Sequence, residues 1–394
     1  MSPSRHSRVP DHERADRRNC WRLGSIAART CTRLAVRRQS TATTMGIACV
    51  GSPRHETCDL PSAMREHTRG LMNSLRLSAL VVALVAAAPG PALAQDDADA
   101  FRTRRMPYEA FDRLQATRVM IGNTAFDVAF APGALALPQT VIVDWIAASG
   151  RTVAAYYGRF PVDHLRVLVV PANGTAVRTG TAFANRGSAV RIVLGRTVTA
   201  QQLADDWIIV HELVHLAFPS VATEHHWIEE GLATYVESIS RAQAGRLRAD
   251  QVWGNFVRRM PQGLPAANDQ GLDHTPTWGR TYWGGAMFCL LADVQIRERT
   301  HNRFGLQDAL RAIVAAEVNM ESYWPLERAL RIADAAIEAP ALEGLYDQMK
   351  ATPVSVDLPQ LWQRLGIELR GDSVFFDDSA PLAPARRAIT AARG

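Results

Sequence analysis

Cysteine is scarce in this sequence and is concentrated at one end. Four of the five cysteines, Cys20, Cys31, Cys49 and Cys58, precede residue 59, and only Cys289 follows. Residues 59–394 can therefore form no internal disulfide. This excludes a small secreted scaffold that depends on disulfides, so the later part of the chain must be stabilised mainly by a packed core.

Long apolar runs and an excess of one charge are also missing from most of the chain. The composition, 47% hydrophobic and 21% charged, excludes collagen-like, low-complexity and fully disordered proteins. Residues 1–71 carry thirteen arginines against six acidic residues, a net charge of +7, which leaves −2 on the remainder of a chain whose total is +5. The basic character belongs to the first 71 residues, and we expect no nucleic-acid partner.

The segment 72–94 has the pattern of a secretory signal peptide. It reads MNSLRLSALVVALVAAAPGPALA, with an early arginine, an apolar run too short to span a bilayer, and a final A-L-A. We expect translation to begin at Met72, with residues 1–71 a non-native upstream leader rather than an Arg-rich transit peptide. The mature chain would begin at Gln95, be periplasmic or secreted, and keep no stable membrane anchor.

The periodicity of the remaining residues predicts an α+β fold. Strands or hairpins are expected early, helices later, and a Gly- and Thr-rich loop over 173–188. The expected strands are 119–130, 165–170, 189–194 and 373–376, and the strongest helices are 139–157, 201–218, 227–246 and 282–299.

The predicted helix 201–218 contains the run H-E-L-V-H, from His211 to His215. Residues four apart lie on one helix face, so both imidazoles can reach one zinc ion. Glu212 is then placed to take a proton from a water molecule activated by the metal. The neighbouring residues are mostly apolar, which predicts a buried helix whose polar side chains need partners.

A catalytic zinc ion needs a third protein ligand. His225 and His226 are nearby candidates, but Glu230, near the start of the predicted helix 227–246, is the better one because that helix can pack against the first. Glu237 lies two turns after Glu230 on the same face and is a candidate partner for a histidine ligand.

H-E-L-V-H followed by W-I-E-E-G-L-A-T-Y-V-E resembles the gluzincin metallopeptidases, above all the M1 aminopeptidase family, with some likeness to M61. The resemblance implies a thermolysin-like catalytic domain, here over 95–300 with a helical part 301–394 packed on it. It also implies a mixed sheet with an edge strand, and Glu230 as third zinc ligand. The 14-residue spacer between His215 and Glu230 is shorter than is usual in that family.

Two further segments resemble M1 motifs. The run T-A-F-A-N at 181–185 resembles the family's edge-strand motif G-A-M-E-N, which implies substrate binding by Ala182, Phe183, Ala184 and Asn185, although Ala184 replaces the glutamate that holds a substrate amine. The run T-Y-W-G-G resembles Y-x-K-G, which implies that Tyr282 donates a hydrogen bond to the oxyanion.

These observations predict an exported peptidase that uses Zn²⁺ and acts on peptides or proteins. An aminopeptidase with a different amine anchor, such as Glu229, is one alternative. A zinc-containing binding or scaffold protein with little turnover is another.

Overall fold

The computed structural model describes residues 100–338 and 340–392. The predicted signal peptide at 72–94 and the predicted leader at 1–71 lie outside these residues. Within the described part, no helix combines the length and the apolarity needed to cross a bilayer.

A five-stranded mixed sheet forms the N-terminal layer. Its strands are β1 (Ala116–Ile121), β2 (Thr124–Phe130), β3 (His164–Ala172), β4 (Val177–Phe183) and β5 (Ala189–Gly195), arranged in the order β1-β2-β3-β5-β4. The pairs β2–β3 and β3–β5 are parallel, whereas β1–β2 and β5–β4 are antiparallel. Strands β3 and β5 therefore have a partner on each side, and β1 and β4 are the edge strands of this sheet.

Helices dominate the rest of the described chain, and the sheet and helices together confirm the predicted α+β class. The α-helices are α1 (Tyr108–Phe111), α2 (Gln139–Tyr157), α3 (Ala200–Asp205), α4 (Ile208–His215), α5 (His226–Gln243), α6 (Ala249–Arg259), α7 (Gly285–Arg299), α8 (Leu306–Ala315), α9 (Leu326–Ala335), α10 (Leu342–Met349), α11 (Leu358–Leu365) and α12 (Ala383–Thr390).

Short 3-10 turns cover Thr223–His225 and Met260–Gly263, and a π-turn at Arg280–Gly284 leads into α7. A two-stranded hairpin, β6 (Ile367–Arg370) and β7 (Ser373–Phe376), precedes α12.

One apolar core joins the sheet to the helices. Val167 and Val169 of β3 and Ile192 of β5 are fully buried, and they belong to the same cluster as Leu213 of α4 and Val236 of α5. The buried apolar side chains before His211 and between the two histidines therefore hold α4 against the rest of the core.

The predicted helix over 201–218 is wrong in one respect, because it is interrupted at Asp206. The backbone of Asp206 is extended (ψ 142°), and its Oδ2 accepts a hydrogen bond from the Ile209 N–H at 3.1 Å. An aspartate side chain competes with the backbone for such donors and begins a new helix instead of continuing the old one.

The predicted loop over 173–188 is also wrong in part, since β4 occupies its middle. Four of its seven residues, Val177, Thr179, Thr181 and Phe183, are of types that favour strands, and pairing with β5 holds the segment extended.

Candidate metal centre

Two histidines of α4 face the same way at the end of the core. The His211 and His215 rings lie 4.8 Å apart between centroids and are nearly perpendicular, at 86°. The carboxylate of Asp206 caps the start of this helix, and burial raises the pKa of that carboxyl to about 6. The four-residue spacing thus produces the common face that the sequence predicts.

Helix α5 brings Glu230 to the two histidines. Glu230 Oε2 lies 3.2 Å from His211 Nε2 and 3.7 Å from His215 Nε2, and one donor atom from each of the three residues falls within 4.8 Å of the others. His211 and Glu230 are buried, at 5% and 8% exposed. His225 and His226, the other candidates for the third position, are not part of this group.

The three donors fit a zinc ion. Ligand atoms at about 2.0–2.1 Å from a tetrahedrally coordinated zinc ion lie roughly 3.3 Å apart, close to the two separations of Glu230 Oε2 from the imidazole nitrogens. Two imidazoles and one carboxylate are also the donor types of catalytic zinc sites that keep one position open for substrate or water.

Glu212 lies between α4 and the edge strand β4. Its carboxylate accepts a hydrogen bond from the Ala182 N–H, and Gly180 packs directly over its side chain. Burial raises the pKa of Glu212 to about 7; His211 lowers it, and the nearby Glu230 raises it further. A carboxylate with a pKa near neutrality is suited to accept and then return a proton.

Burial and the attraction between opposite charges shift the pKa values of the candidate ligands in opposite directions. Burial is the main cause that lowers the pKa of His215 to about 4, which favours the neutral imidazole that a metal requires. Burial would raise the pKa of Glu230, but His215, His211 and His226 together hold it well below its usual value. The site therefore presents an ionised carboxylate.

The short π-helix Arg280–Gly284 brings Tyr282 to the group formed by His211, His215 and Glu230. The Tyr282 hydroxyl lies near the Glu230 carboxylate, and its ring stacks on that of His211, with the centroids 6.3 Å apart at 15°. Burial, with the charges of Glu230 and Glu212, raises the pKa of Tyr282, so its hydroxyl keeps its proton and remains a donor.

His226 makes contacts that the sequence did not predict. Its Nδ1 lies 2.9 Å from Glu229 Oε2, and its Nε2 lies 3.4 Å from Glu230 Oε1. The two oxygens of Glu230 thus face different partners. The four-residue spacing of His226 and Glu230 on one helix was the available signal. The preceding His225 bonds Asp273 instead, at 3.0 Å.

Glu237, the expected partner of a histidine ligand, binds Arg241 at 2.6 Å in the buried interior. Burial lowers the pKa of His211, but the adjacent Glu230 raises it more, and Glu237 adds only a small part of that rise. His211 Nδ1 is buried with no hydrogen-bond partner among the described residues. The structure therefore places Glu237 near the histidine without a hydrogen bond to it.

Of the four residues predicted to bind substrate, two lie in the edge strand β4 and two lie just after it. Ala182 and Phe183 belong to β4, and the Ala182 N–H contacts Glu212. Ala184 and Asn185 follow the end of β4, and the Asn185 side chain accepts a hydrogen bond from the Tyr108 hydroxyl at 3.2 Å. Asn185 is thus engaged by α1.

No protein-family model matches the sequence, and no curated protein matches it either. Among solved structures, an aminopeptidase N family protein from Idiomarina loihiensis has a TM-score of 0.47 at 13% identity, over 66% of this chain and 50% of that chain. An M1 zinc metallopeptidase from Deinococcus radiodurans has a TM-score of 0.42 at 17% identity, over 62% and 52%. The chain thus spans about half the length of these neighbours.

Proposed function

We propose that this chain is an exported zinc metallopeptidase that hydrolyses peptide bonds. The observation that carries the proposal is the convergence of His211, His215 and Glu230, with one donor atom each within 4.8 Å, beside the carboxylate of Glu212. Two imidazoles, a carboxylate and an adjacent base of near-neutral pKa are what hydrolysis by a metal-activated water requires.

Each side chain has a defined part in this reaction. His211, His215 and Glu230 would hold a zinc ion, which would supply the Lewis acidity that activates the water and polarises the scissile carbonyl. Glu212 removes a proton from the attacking water while the water oxygen bonds to the carbonyl carbon. Glu212 then delivers that proton to the amide nitrogen as the carbon–nitrogen bond breaks. The Tyr282 hydroxyl donates a hydrogen bond to the former carbonyl oxygen, which becomes negatively charged when the water adds.

Metal content tests the ligand set. Elemental analysis of the purified protein should give about one zinc ion per chain, and Glu230→Ala should lose most of it. Glu224→Ala, an exposed glutamate six residues earlier, is the matched control and should keep its zinc. A folded protein that binds no zinc would exclude the proposal.

Catalysis is tested by Glu212→Gln, which keeps the size of the side chain and removes the base. Peptide hydrolysis should fall by about 10²- to 10⁴-fold while zinc content and thermal stability stay close to those of the parent. Zinc-loaded parent protein that cleaves no peptide would favour the scaffold alternative.

The aminopeptidase alternative has less support. The Glu229 carboxylate, its suggested amine anchor, is already bonded to His226, and Ala184 cannot hold an amine. We therefore propose a peptidase that does not require a free N-terminus. N-acetylated and free peptides of one sequence should be cleaved at similar rates, and cleavage of the free form alone would establish the aminopeptidase.

Export is proposed on the sequence of residues 72–94. N-terminal sequencing of protein recovered from the periplasm or medium of an expressing bacterium should begin at Gln95. Recovery only of an uncleaved, cell-retained chain would contradict it.

A further inference from the structure

Two exposed tryptophans flank the metal centre. Trp207 is 49% exposed and Trp278 is 41% exposed, whereas most large apolar side chains of the described region are buried. Exposed indoles are large apolar surfaces in contact with water, and they are more informative than isolated exposed aliphatic groups.

The two indoles are the outer members of a row of rings. Trp278 stacks on Tyr282, with centroids 5.7 Å apart at 25°, and Tyr282 in turn stacks on His211. Trp207 meets His211 edge to face, at 5.5 Å and 88°. Trp207 is therefore in direct contact with the candidate zinc ligand His211, and Trp278 is separated from it by the ring of Tyr282.

The distances along this row can be compared with the spacing of residues in an extended peptide. An extended peptide advances about 3.3 Å per residue, so the side chains within two positions of the scissile bond lie within about 7 Å of it along the chain. Neighbouring rings of the row are 5.5–6.3 Å apart, a distance of the same size, so a scissile carbonyl at the three donor atoms would bring these side chains beside the row.

Two charged pairs close in sequence to the row are already formed. His226 bonds Glu229, and the buried Arg280 pairs with Asp269 at 2.7 Å. The rings of the row present mainly aromatic surface, which favours an apolar occupant over a charged one.

We infer that Trp207 and Trp278, with the two rings between them, form an aromatic wall that binds aromatic or large aliphatic side chains of the substrate on residues close to the scissile bond. The inference rests on the proposed peptidase function and adds the substrate class. A sugar ring also stacks on indoles, but its hydroxyls need hydrogen-bond partners that the engaged side chains do not supply.

The test compares internally quenched peptides that differ only beside the scissile bond, carrying Phe, Leu, Glu or Lys there, with the zinc-loaded full chain. We expect kcat/KM for the Phe peptide to exceed that for the Glu and Lys peptides by about tenfold or more. Trp207→Ala and Trp278→Ala should each reduce this ratio severalfold, chiefly through KM, and the matching Trp→Phe variants should restore most of it.

Tyr323→Ala is the control, because Tyr323 is 67% exposed and is not a member of the row. It should leave the ratio unchanged. Cleavage without preference, a preference that survives both alanine variants, or faster cleavage of a glycosylated peptide than of its bare form would overturn the inference and leave the peptidase standing.

If no peptide is cleaved, the peptidase proposal fails and binding decides the inference. Calorimetric titration of the zinc-loaded Glu212→Gln protein with the same peptides should show tighter binding of the Phe peptide, reduced by Trp207→Ala. Equal or undetectable binding of all four peptides would overturn the aromatic wall.

Discussion

No side chain separates Gly180 of the edge strand from Glu212 of α4. A β-carbon built on Gly180 would lie 2.3 Å from Glu212 Cγ and 2.9 Å from its Oε1, well inside van der Waals contact. The strand backbone therefore forms one wall of the space that holds the base. Hydrogen-bond donation from the Ala182 N–H fixes the carboxylate in that space.

Gly180→Ala should displace the Glu212 carboxylate. We expect peptide hydrolysis to fall by about 10²-fold, the size of effect seen when a general base is misplaced. Zinc content should be retained, because no ligand touches Gly180. Thr179→Ala, on the same strand but with its side chain on the opposite face, is the control and should keep nearly full activity. Full activity of Gly180→Ala would show that Glu212 can move without loss.

His226→Ala should weaken zinc binding. His226 is the neighbour of Glu230 Oε1, and partners that orient a metal ligand typically affect affinity by about 10- to 100-fold when removed. Competition with a chromophoric chelator measures the affinity directly. The adjacent His225→Ala removes a contact to Asp273 instead and should lower thermal stability while leaving zinc affinity nearly unchanged. Equal zinc affinities in parent and His226→Ala would contradict the expectation.

Gly231→Ala should destabilise the fold beside the metal centre. A β-carbon on Gly231 would come within 2.4 Å of the Gly285 backbone, so α5 and α7 would have to separate. We expect a loss of about 1–3 kcal/mol in the free energy of unfolding, measured by urea titration. Gly344→Ala in α10, where a β-carbon meets nothing within 4 Å, should instead leave stability unchanged or raise it by up to about 1 kcal/mol.

Asp127 should contribute pH-dependent stability. The Arg118 guanidinium, at 2.7 Å, and His164, at 2.8 Å, lower the pKa of Asp127 from 3.8 to about 2. The folded-state pKa is depressed, so the stabilisation is fully present above pH 3.8 and is lost as the pH falls through 2.

Asp127→Asn should lower the free energy of unfolding at pH 7 by about 1 kcal/mol, after allowance for the exposure of Arg118, and by much less at pH 2. Denaturant titrations at both pH values measure the difference. Asp372→Asn, at an exposed turn, is the control and should show no such pH dependence. An equal deficit at both pH values would rule out the ion-pair explanation.

The helices and the grouping of the candidate metal ligands could be predicted from the sequence because they depend on local spacing. The prediction of a helix over 139–157 is confirmed by α2, and the structure places His211, His215 and Glu230 together, as their spacing on two helices indicated. Periodicity and a four-residue spacing depend on a few neighbouring residues only.

The edge strand and the aromatic row could not be read in the same way. The position of β4 depends on pairing with β5, and the relation of Gly180 to Glu212 joins residues 32 positions apart. Within the aromatic row, Trp207 and His211 are four residues apart, and so are Trp278 and Tyr282. The stacking of Tyr282 on His211, however, joins residues 71 positions apart, and only tertiary packing brings them together. At Asp206 the periodic apolar pattern predicted one continuous helix, but a local hydrogen bond from the Ile209 N–H to the Asp206 side chain starts a new helix instead.

The contact of two bare backbones at Gly231 and Gly285 has a consequence for motion. Helices that interdigitate through flexible side chains can slide past one another by small rotamer changes, whereas backbone in contact with backbone has no such freedom. Glu230 and the π-turn that carries Tyr282 adjoin these two glycines and must therefore move as one rigid body. The edge strand β4 on the other side of Glu212 is under no such constraint, because it is paired along one side only.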